Sequence, residues 1–600
     1  MTIAKFSEYL NTLETTSSRL EITAILSTLL KELDLDEIRP ACYLLQGQLL
    51  PQYSGLEFQI AVKTVIKVLA RLSPGNETSD SATLFGDQDL SRAESEVEKT
   101  YKSVGDLGKV AAQIVEERTQ HGKGATGKLA VSDVYSALLE VANDSGAQSQ
   151  QRKQDKLVEL FEKLDELSAK FVVRILLGRL RLGFSDMTIM DALSWAMCGD
   201  KSEREMLESA YQRRADIGKL ATEYLQQHDL TNRHALLAEQ YSIELGVPVV
   251  PALCQRLNSA TEVIEKMTEV IAEPKYDGLR VQIHFRKGAA GQPALMRTFT
   301  RNLEESSAMF PELEDVAKRL NCDSCILDGE AIGYDPKTGH MIPFQQTMQR
   351  KRKHGVAEKA AEVPIRFYVF DVLYLDGKNL INTPLTQRKE ILAQLFKDDD
   401  VLVHTEGMTT KDPGTLKLYH EEMLAEGLEG IVMKQSSAGY QSGRKGWSWV
   451  KMKEAEGKTG KLSDTLDVIV MGYYAGRGKR AEFGIGAFLV GVLDEKTQQV
   501  LTLAKIGTGL TDEILVEVKK RCDALLTAVQ PPAYIVHKML TPDKWCSPSL
   551  VVEVAADELT TSPIHSAGQA LRFPRFIKFR DDKSWDEATT VEELKSIKIA

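Results

Sequence analysis

The chain has 600 residues, enough for roughly three to four domains of ordinary size. Hydrophobic residues make up 43% and charged residues 27%, the balance of a globular protein, and no apolar run is long enough to span a bilayer. The net charge of −11 supplies no global basic field, so a nucleic-acid partner would have to be met by local patches.

Residues 1–16 lack the apolar core of a signal peptide and carry Glu8 and Glu14, which a transit peptide would avoid; the expectation is a cytoplasmic protein without membrane attachment. Up to about residue 225 the pattern is helical. Val62, Val65, Ile66 and Leu69 recur at helical spacing, as do Leu157, Leu160, Phe161 and Leu164. Polar loops are expected at 74–92 and 121–128. The second holds Gly122, Gly124 and Gly127, a formal G-x-G-x-x-G, but the residues before it read as helix, whereas a dinucleotide fingerprint follows a strand. Three basic clusters stand out: this loop, Arg152 and Lys153 after the small-residue loop at 143–151, and Arg174, Arg179 and Arg181 near Gly178 and Gly183. Each reads either as a phosphate contact or as a solvated helix end.

From about residue 240 the texture changes. Pro248 and Pro251 open a region of short alternating strands that runs to about Lys453 and reads as α/β. Its central stretch is 273–280, EPKYDGLR. Asp277-Gly278 reads as a tight turn before a strand in which Val281, Ile283 and Phe285 alternate with Gln282 and His284. Lys275 precedes that turn, where a side chain can point into a cleft. A neutral lysine amine can attack a phosphoryl centre, and Arg280 beside it would favour the neutral form or hold a phosphate.

Further along come Arg301 in TRN, Glu330 in LDGEA, Phe370 and Asp371 in the apolar strand IRFYVFDVLYL, and Glu429 in EGLEGIVMK. In the Phe370 strand, alternation puts Tyr368, Phe370 and Val372 on one face and Phe367, Val369 and Asp371 on the other. In WSWVKMK it puts Trp447, Trp449, Lys451 and Lys453 together, and two lysines side by side want an anion between them. EGKTGK near 456 reads as a linker. The short strands beyond it (466–471, 487–493, 550–554) and their glycine-rich turns suggest a small β-barrel. Seven scattered cysteines include one C-x-x-C, Cys322 and Cys325, without the second pair that a zinc site needs, so all read as reduced thiols.

In their order, these stretches resemble the covalent nucleotidyltransferase superfamily, and closely the ATP-dependent DNA ligases of the archaeal and eukaryotic replicative type. KYDGLR at 275–280 is similar to the nucleotide-accepting lysine motif. TRN at 300–302, LDGEAIGYD at 327–335, FYVFDVLYLDG at 367–377, EGLEGIVMK at 426–434 and WVKMK at 449–453 match the later motifs in order and type. PFQQTMQRKRKH at 343–354, PLTQRKEIL at 384–392, and ALRFPRFIKFRDDK at 570–583 are also ligase-like. The helical part resembles the ligase DNA-binding domain through VGDLG at 104–108 and RILLGRLRLGFSD at 174–186.

The resemblance implies a multidomain α + α/β + β chain: an all-helical DNA-binding domain (1–225), a nucleotidyltransferase or adenylation domain (226–455) and an OB-fold barrel (456–600). It implies ATP and Mg²⁺ as cofactors, with nicked double-stranded DNA as partner. A monomer is expected. A sliding clamp is a further partner open to this type, although neither terminus carries an obvious clamp-binding peptide. By the resemblance, Lys275 accepts AMP and Phe370 stacks on adenine. Glu273 contacts adenine or fixes the lysine loop. Arg280, Arg301, Lys451 and Lys453 cancel phosphate charge, and Glu330 and Glu429 take metal or ribose roles. Arg572, Arg575, Lys578 and Arg580 steer pyrophosphate or grip DNA. Family members place an arginine directly before the glycine upstream of the last motif; here the order is Arg444-Lys445-Gly446, and either cation could serve. An mRNA-capping guanylyltransferase would not need the long helical part, and an NAD-dependent ligase would carry a four-cysteine zinc module that this chain lacks. The basic run at 349–354 reads as a solvated or DNA-facing loop rather than a nuclear signal.

Overall fold

The computed structural model describes all residues except 74–85, 124–127, 181, 258, 289–292, 343, 351–359, 361, 454–464, 477–482, 508–509, 557 and 597–600. The G-x-G-x-x-G, Arg181, the basic run at 349–354 and the linker near 456 lie wholly or partly outside the described residues, as does the Lys453 side chain. The chain divides into two compact units, 1–94 with 111–454, and 95–110 with 455–600. Among the described residues no helix is long and apolar enough to cross a membrane.

Among the described residues, the elements from Ile3 to Gln240 are all helices. Helix Val62–Leu72 buries Val65, Ile66 and Leu69, and helix Ser149–Phe161 buries Leu157, Leu160 and Phe161, the faces that the periodicity indicates. One expected loop is shorter than its composition suggests: a helix spans Gly86–Val104, seating Ala93 and Val97, four residues apart, against the interior. Three side chains of the basic clusters are paired within the fold. Arg152 grips Asp144 at 2.6 Å and donates to the Ala147 carbonyl at 2.7 Å. Buried Lys153 donates to the Phe58 carbonyl at 3.0 Å, and Arg174 pairs with Glu14 at 2.8 Å. Lys153 and Arg174 are thus buried partners within the fold, whereas Arg152 stays exposed at the helix start, as a solvated helix end.

The α/β part contains two sheets. Its strands are β1 (Gln255–Arg256), β2 (Val270–Pro274), β3 (Leu279–Arg286), β4 (Leu295–Thr300), β5 (Ser324–Gly333), β6 (Ile365–Leu375), β7 (Lys378–Asn379), β8 (Leu402–His404), β9 (Met408–Thr410), β10 (Gly430–Gln435) and β11 (Trp449–Lys453). The first sheet runs β1-β11-β10-β2-β9, and the second runs β4-β3-β5-β6-β7 with β8 beside β6. Val270, Ile431, Val450 and Met452 of the first sheet pack with Val263 and Met267 of helix Ala260–Met267 and with Leu416 and Met423 of helix Pro413–Ala425. The second sheet buries Val281, Ile283, Leu327 and Phe367 with Leu392 and Leu395 of helix Leu385–Leu395. A third cluster draws on both sheets, with Ile326, Phe370 and Leu373 from one, Trp449 from the other, and Tyr440. The sheets therefore face each other across it.

Two alternation readings need correction. In β6 the register slips twice against β5, so Phe370 and Leu373 are extra residues on the β6 side. Val372 accordingly joins Phe367 and Val369 in the second sheet's core, while Phe370 and Leu373 turn to the other face. Trp447 does not share the Trp449 face, because β11 begins only at Trp449. Trp447 is exposed, with the Lys266 ammonium 4.1 Å from its ring centre.

The segment leading into the first sheet is tied to β3 by side chains. Val249 N–H donates to Gln282 Oε1 at 2.8 Å, and Gly246 N–H to His284 Nδ1 at 3.1 Å. Burial, with Arg297 adding, pushes the His284 imidazole down to about 3, so it stays neutral and can accept that bond.

The second unit holds an eight-stranded curled sheet. A meander of β12 (Leu466–Tyr474), β13 (Ala487–Asp494) and β14 (Gln499–Ile506) is joined by Val551–Ala555 and Arg575–Phe579, closed over helix Asp512–Asp523. Gly472 lets the Lys544–Cys546 strand approach, since a Cβ there would fall on the Lys544 carbonyl. Arg580 pairs with Asp467 and Asp582, and Lys578 with Glu553, within this unit.

Candidate active site

Lys275 sits where the chain crosses from one sheet to the other, four residues carrying it from β2 to β3. The ladder between β2 and β10 runs one step past the strand. Lys275 N–H donates to the Gly430 carbonyl at 2.9 Å, and Glu429 N–H donates back to the Lys275 carbonyl at 3.2 Å. This fixes the lysine beside Glu429, and Lys275 Nζ lies 2.5 Å from Glu429 Oε2, both side chains about one-fifth exposed. Gly278 completes the crossing. A Cβ there would meet the Ala331 carbonyl at 2.7 Å and Glu330 Cγ at 2.8 Å, so only glycine lets the loop press on β5.

Glu330 faces Arg280 across the β3–β5 ladder. Burial, with Asp328 and Asp277 adding and Arg280 and Lys275 opposing, pushes its carboxyl up to about 7. Arg280 is itself engaged, with Nε and Nη2 gripping Asp328 at 3.0 and 2.6 Å and Nη1 donating to the Ala252 carbonyl at 2.6 Å. Tyr440 Oη donates to the same Asp328 at 2.7 Å. Arg280 is thus held by protein on three sides and supports the cleft floor.

Glu273, at the other end of the lysine loop, is 2% exposed and lies between two ammonium groups. Lys434 Nζ is 2.5 Å away, and Lys389 is closer still. Lys434 is buried and sits 4.1 and 4.2 Å from the ring centres of Phe370 and Trp449. These rings meet edge to face at 5.8 Å, with the Arg280 guanidinium beside both. Next to them, Arg388 and Asp371 form a fully buried bidentate pair at 2.7 and 2.9 Å. The layer between the sheets therefore sets Arg280, Lys389, Lys434 and Arg388 against Glu273, Asp328 and Asp371, with Glu330 facing Arg280.

Arg301 and Asn302 are exposed at the tip of the turn after β4, and Arg301 borders a small cavity with Arg280 and Asp328. Lys451 is half-buried, in register with Val432 and Arg256, and the backbone of Lys453 is in register with Gly430. Arg444 is exposed, whereas Lys445 is paired with Glu208 at 2.9 Å. The fold thus gathers Lys275, Glu273, Arg280, Glu330, Phe370 and Glu429 around one cleft, with Arg301 at its margin. Lys389, Lys434, Asp328 and Tyr440 escaped the sequence reading. The available signal was Lys434 itself, a lysine inside an apolar strand. Among the described residues no three acidic, histidine or cysteine side chains form a ready-made metal cage. Glu330 and Glu429 are carboxylates beside Lys275, the donor type that Mg²⁺ takes singly or in pairs while completing its shell with water and phosphate oxygens.

Comparison with known proteins bears on the family of the chain. Residues 2–194 match the family description "DNA ligase N terminus", 251–453 "ATP dependent DNA ligase domain", and 481–583 "ATP dependent DNA ligase C terminal region". A probable DNA ligase of Dictyoglomus turgidum is 37% identical, covering 99% of this chain and 97% of its own. DNA ligase 2 of Thermofilum pendens is also 37% identical, over 98% and 96% of the two chains. The DNA ligase of Saccharolobus solfataricus is 34% identical, over 98% and 96%. A solved structure titled Pmar-Lig_PreS3 has the same fold with a TM-score of 0.54, at 17% identity, covering 96% of this chain and 99% of its own.

Proposed function

Because the chain belongs to the ATP-dependent DNA ligase family, we propose that it seals nicks in duplex DNA through a covalent adenylate on Lys275. The observation that carries this is the fixed approach of Lys275 Nζ to Glu429 in the loop between the sheets. Lys275 Nζ attacks the α-phosphorus of ATP. An N–P bond forms, the bond to the β-phosphate oxygen breaks, pyrophosphate leaves and the amine loses its proton. The 5′-phosphate of the nick then takes the AMP from Lys275, and the 3′-hydroxyl attacks that phosphate and expels AMP. Each step is in-line phosphoryl transfer, in which positioning and charge neutralisation dominate.

Glu330 and Glu429 would hold Mg²⁺, which supplies charge neutralisation at the phosphates when bound. Arg301, Lys451 and Lys453 neutralise phosphate charge, and Arg444, exposed where Lys445 is engaged by Glu208, is the cation of that turn free to reach the nucleotide. Arg280 acts by orienting Asp328 and the cleft floor. Glu273 and Phe370 form the adenine end of the site. The partner is nicked double-stranded DNA, met by a monomer in the cytoplasm during replication, repair and recombination. The direct test is incubation with α-labelled ATP and Mg²⁺ followed by a denaturing gel. The expected result is label on the protein that chases onto a nicked 5′-phosphate; protein that stays unlabelled removes the proposal.

Two further outcomes follow. Phe370 is 8% exposed, so Phe370→Leu, which keeps most of the apolar volume, should cost less than about 1.5 kcal/mol and leave the melting temperature within a few degrees. A lost stacking surface is worth roughly 1–3 kcal/mol per base, so half-maximal adenylation should need about tenfold more ATP. A lower melting temperature with unchanged ATP dependence would return Phe370 to a purely structural role. Nick affinity should fall by about a thousandfold or more between roughly 50 and 200 mM salt if at least six phosphates are neutralised, despite the net charge of −11. A flat salt response in a filter-binding or anisotropy titration would rule out a phosphate-gripping interface.

A further inference from the structure

The turn after β4 carries a feature that the reaction scheme leaves unused. Thr300 N–H donates to the Glu304 carbonyl and Leu303 N–H to the Thr300 carbonyl, both at 2.9 Å, which places Arg301 and Asn302 at the tip. Leu303 follows with φ +66°. In that left-handed conformation the Cβ of an L-residue crowds the next carbonyl, and leucine has no polar side chain to compensate locally, so the turn must be held from outside. The leucine is only partly exposed. It forms part of the wall of a cavity of about 450 Å³ in the helical part, together with Tyr43, Tyr53, Phe184 and Tyr211. It also lines the smaller cavity bounded by Arg280, Arg301 and Asp328. Leu303 is thus the partition between the helical part and the nucleotide cleft.

The walls on the helical side are rigidly tied. Tyr43 Oη donates to Asp216 at 2.7 Å, Tyr53 Oη to the same carboxylate at 3.3 Å, and Tyr211 Oη to Asp186 at 2.5 Å. The turn is fastened to them from its own side. Arg297 Nη2 donates to the Tyr53 carbonyl at 3.1 Å, and the rings of Tyr53 and Phe299 meet edge to face at 6.4 Å.

We propose that Leu303 is a positioning residue through which the helical part sets the place of Arg301, so that this part contributes to nucleotide capture as well as to DNA binding. The inference rests on the reading of Arg301 as a contact to ATP phosphate. With the leucine anchor gone, the turn leaves its left-handed conformation and Arg301 no longer meets the phosphates at a fixed distance. The loss falls on ground-state capture of ATP, not on the attack by Lys275.

The test uses the full chain as L303A, L303M, R301A and the R301A/L303A double variant, each assayed for self-adenylation across ATP concentrations with α-labelled ATP and Mg²⁺, together with a melting curve. L303A should raise the KM for ATP about fivefold with the maximal rate within twofold of wild type. L303M, which keeps apolar bulk against the cavity, should restore KM. The double variant should match R301A alone, because the leucine acts only through the arginine. A wild-type KM in L303A while R301A is impaired removes the role of Leu303 and leaves Arg301 standing, and so does an effect of L303A that persists undiminished in the R301A background. A wild-type KM in R301A removes the reading of Arg301 and the proposal with it. If L303A unfolds, L303M and R301A still decide: L303M that folds but shares the elevated KM of R301A overturns the anchor.

Discussion

Lys275→Ala should take up no label from α-labelled ATP and should fail to seal an ordinary nick, yet it should still close a nick that already carries AMP on its 5′-phosphate. The first two losses follow from chemistry: the α-phosphorus needs a nucleophile at this spot, and the neighbouring cations are committed elsewhere. Lys434 and Lys389 are tied to Glu273, and Arg280 to Asp328. The retained step needs only the 3′-hydroxyl as nucleophile. The variant should fold, because Lys275 is partly exposed and its backbone bonds to Gly430 and Glu429 do not involve the side chain. Label uptake like that of the wild type would end the assignment of Lys275. An intact melting curve with no sealing of the pre-adenylated nick would show that the lysine also serves the last step.

The largest stability effect is expected at Asp371→Ala. Asp371 and Arg388 are each 1% exposed or less and bind through two parallel hydrogen bonds. Burial works against the Asp371 carboxylate, yet Arg388 holds it below the usual carboxylate range. Removing one partner strands a guanidinium between the sheets, and breaking such a pair costs roughly 3–5 kcal/mol. Chemical denaturation should therefore show the α/β part unfolding at clearly lower denaturant. Asp371→Leu combined with Arg388→Met removes both charges at similar volume and should recover most of the loss, since desolvating the pair offsets much of its attraction. If Asp371→Ala unfolds at the wild-type midpoint, the pair is not the staple described here.

The lysine loop was legible because local chemistry writes it. Asp277-Gly278 marks the turn, the alternation after it marks β3, and the close approach to Ala331 explains the glycine. Glu429 was legible for the same reason, as a carboxylate at a turn leading into a strand. What could not be read is what the sheets bring together. Glu273, Lys389 and Lys434 are far apart in sequence, and only the β2–β10 pairing and the helix after β7 unite them. The two slips in β6 were equally hidden, because an extra residue leaves composition and alternation unchanged until a partner strand sets the register. The pairing of the basic clusters was hidden for a related reason. Arg174 has its carboxylate on Glu14, 160 residues earlier, so charge along the chain says nothing of whether it is spent.

The way the two sheets interleave along the chain also governs how the protein is made. The strands from β3 to β7 all emerge within residues 279–379 and can pair as they leave the ribosome. β2 cannot: its partners are β9, at 408–410, and β10, where Pro274 meets Ile431, and β1 closes only on Val450. At about 5–20 residues per second, the ribosome needs roughly 10–30 s to deliver β10 after β2 has been synthesised. Until β9 emerges at 408–410 to take one edge, Val270, Ile271 and Ala272 form an apolar strand open on both sides, and the edge that meets β10 stays open for the whole interval. The lysine loop therefore takes its working shape only when β10 is in place. A ribosome that stalls before residue 430 leaves the second sheet able to form, with the β10 edge of β2 still open and aggregation-prone at its threshold.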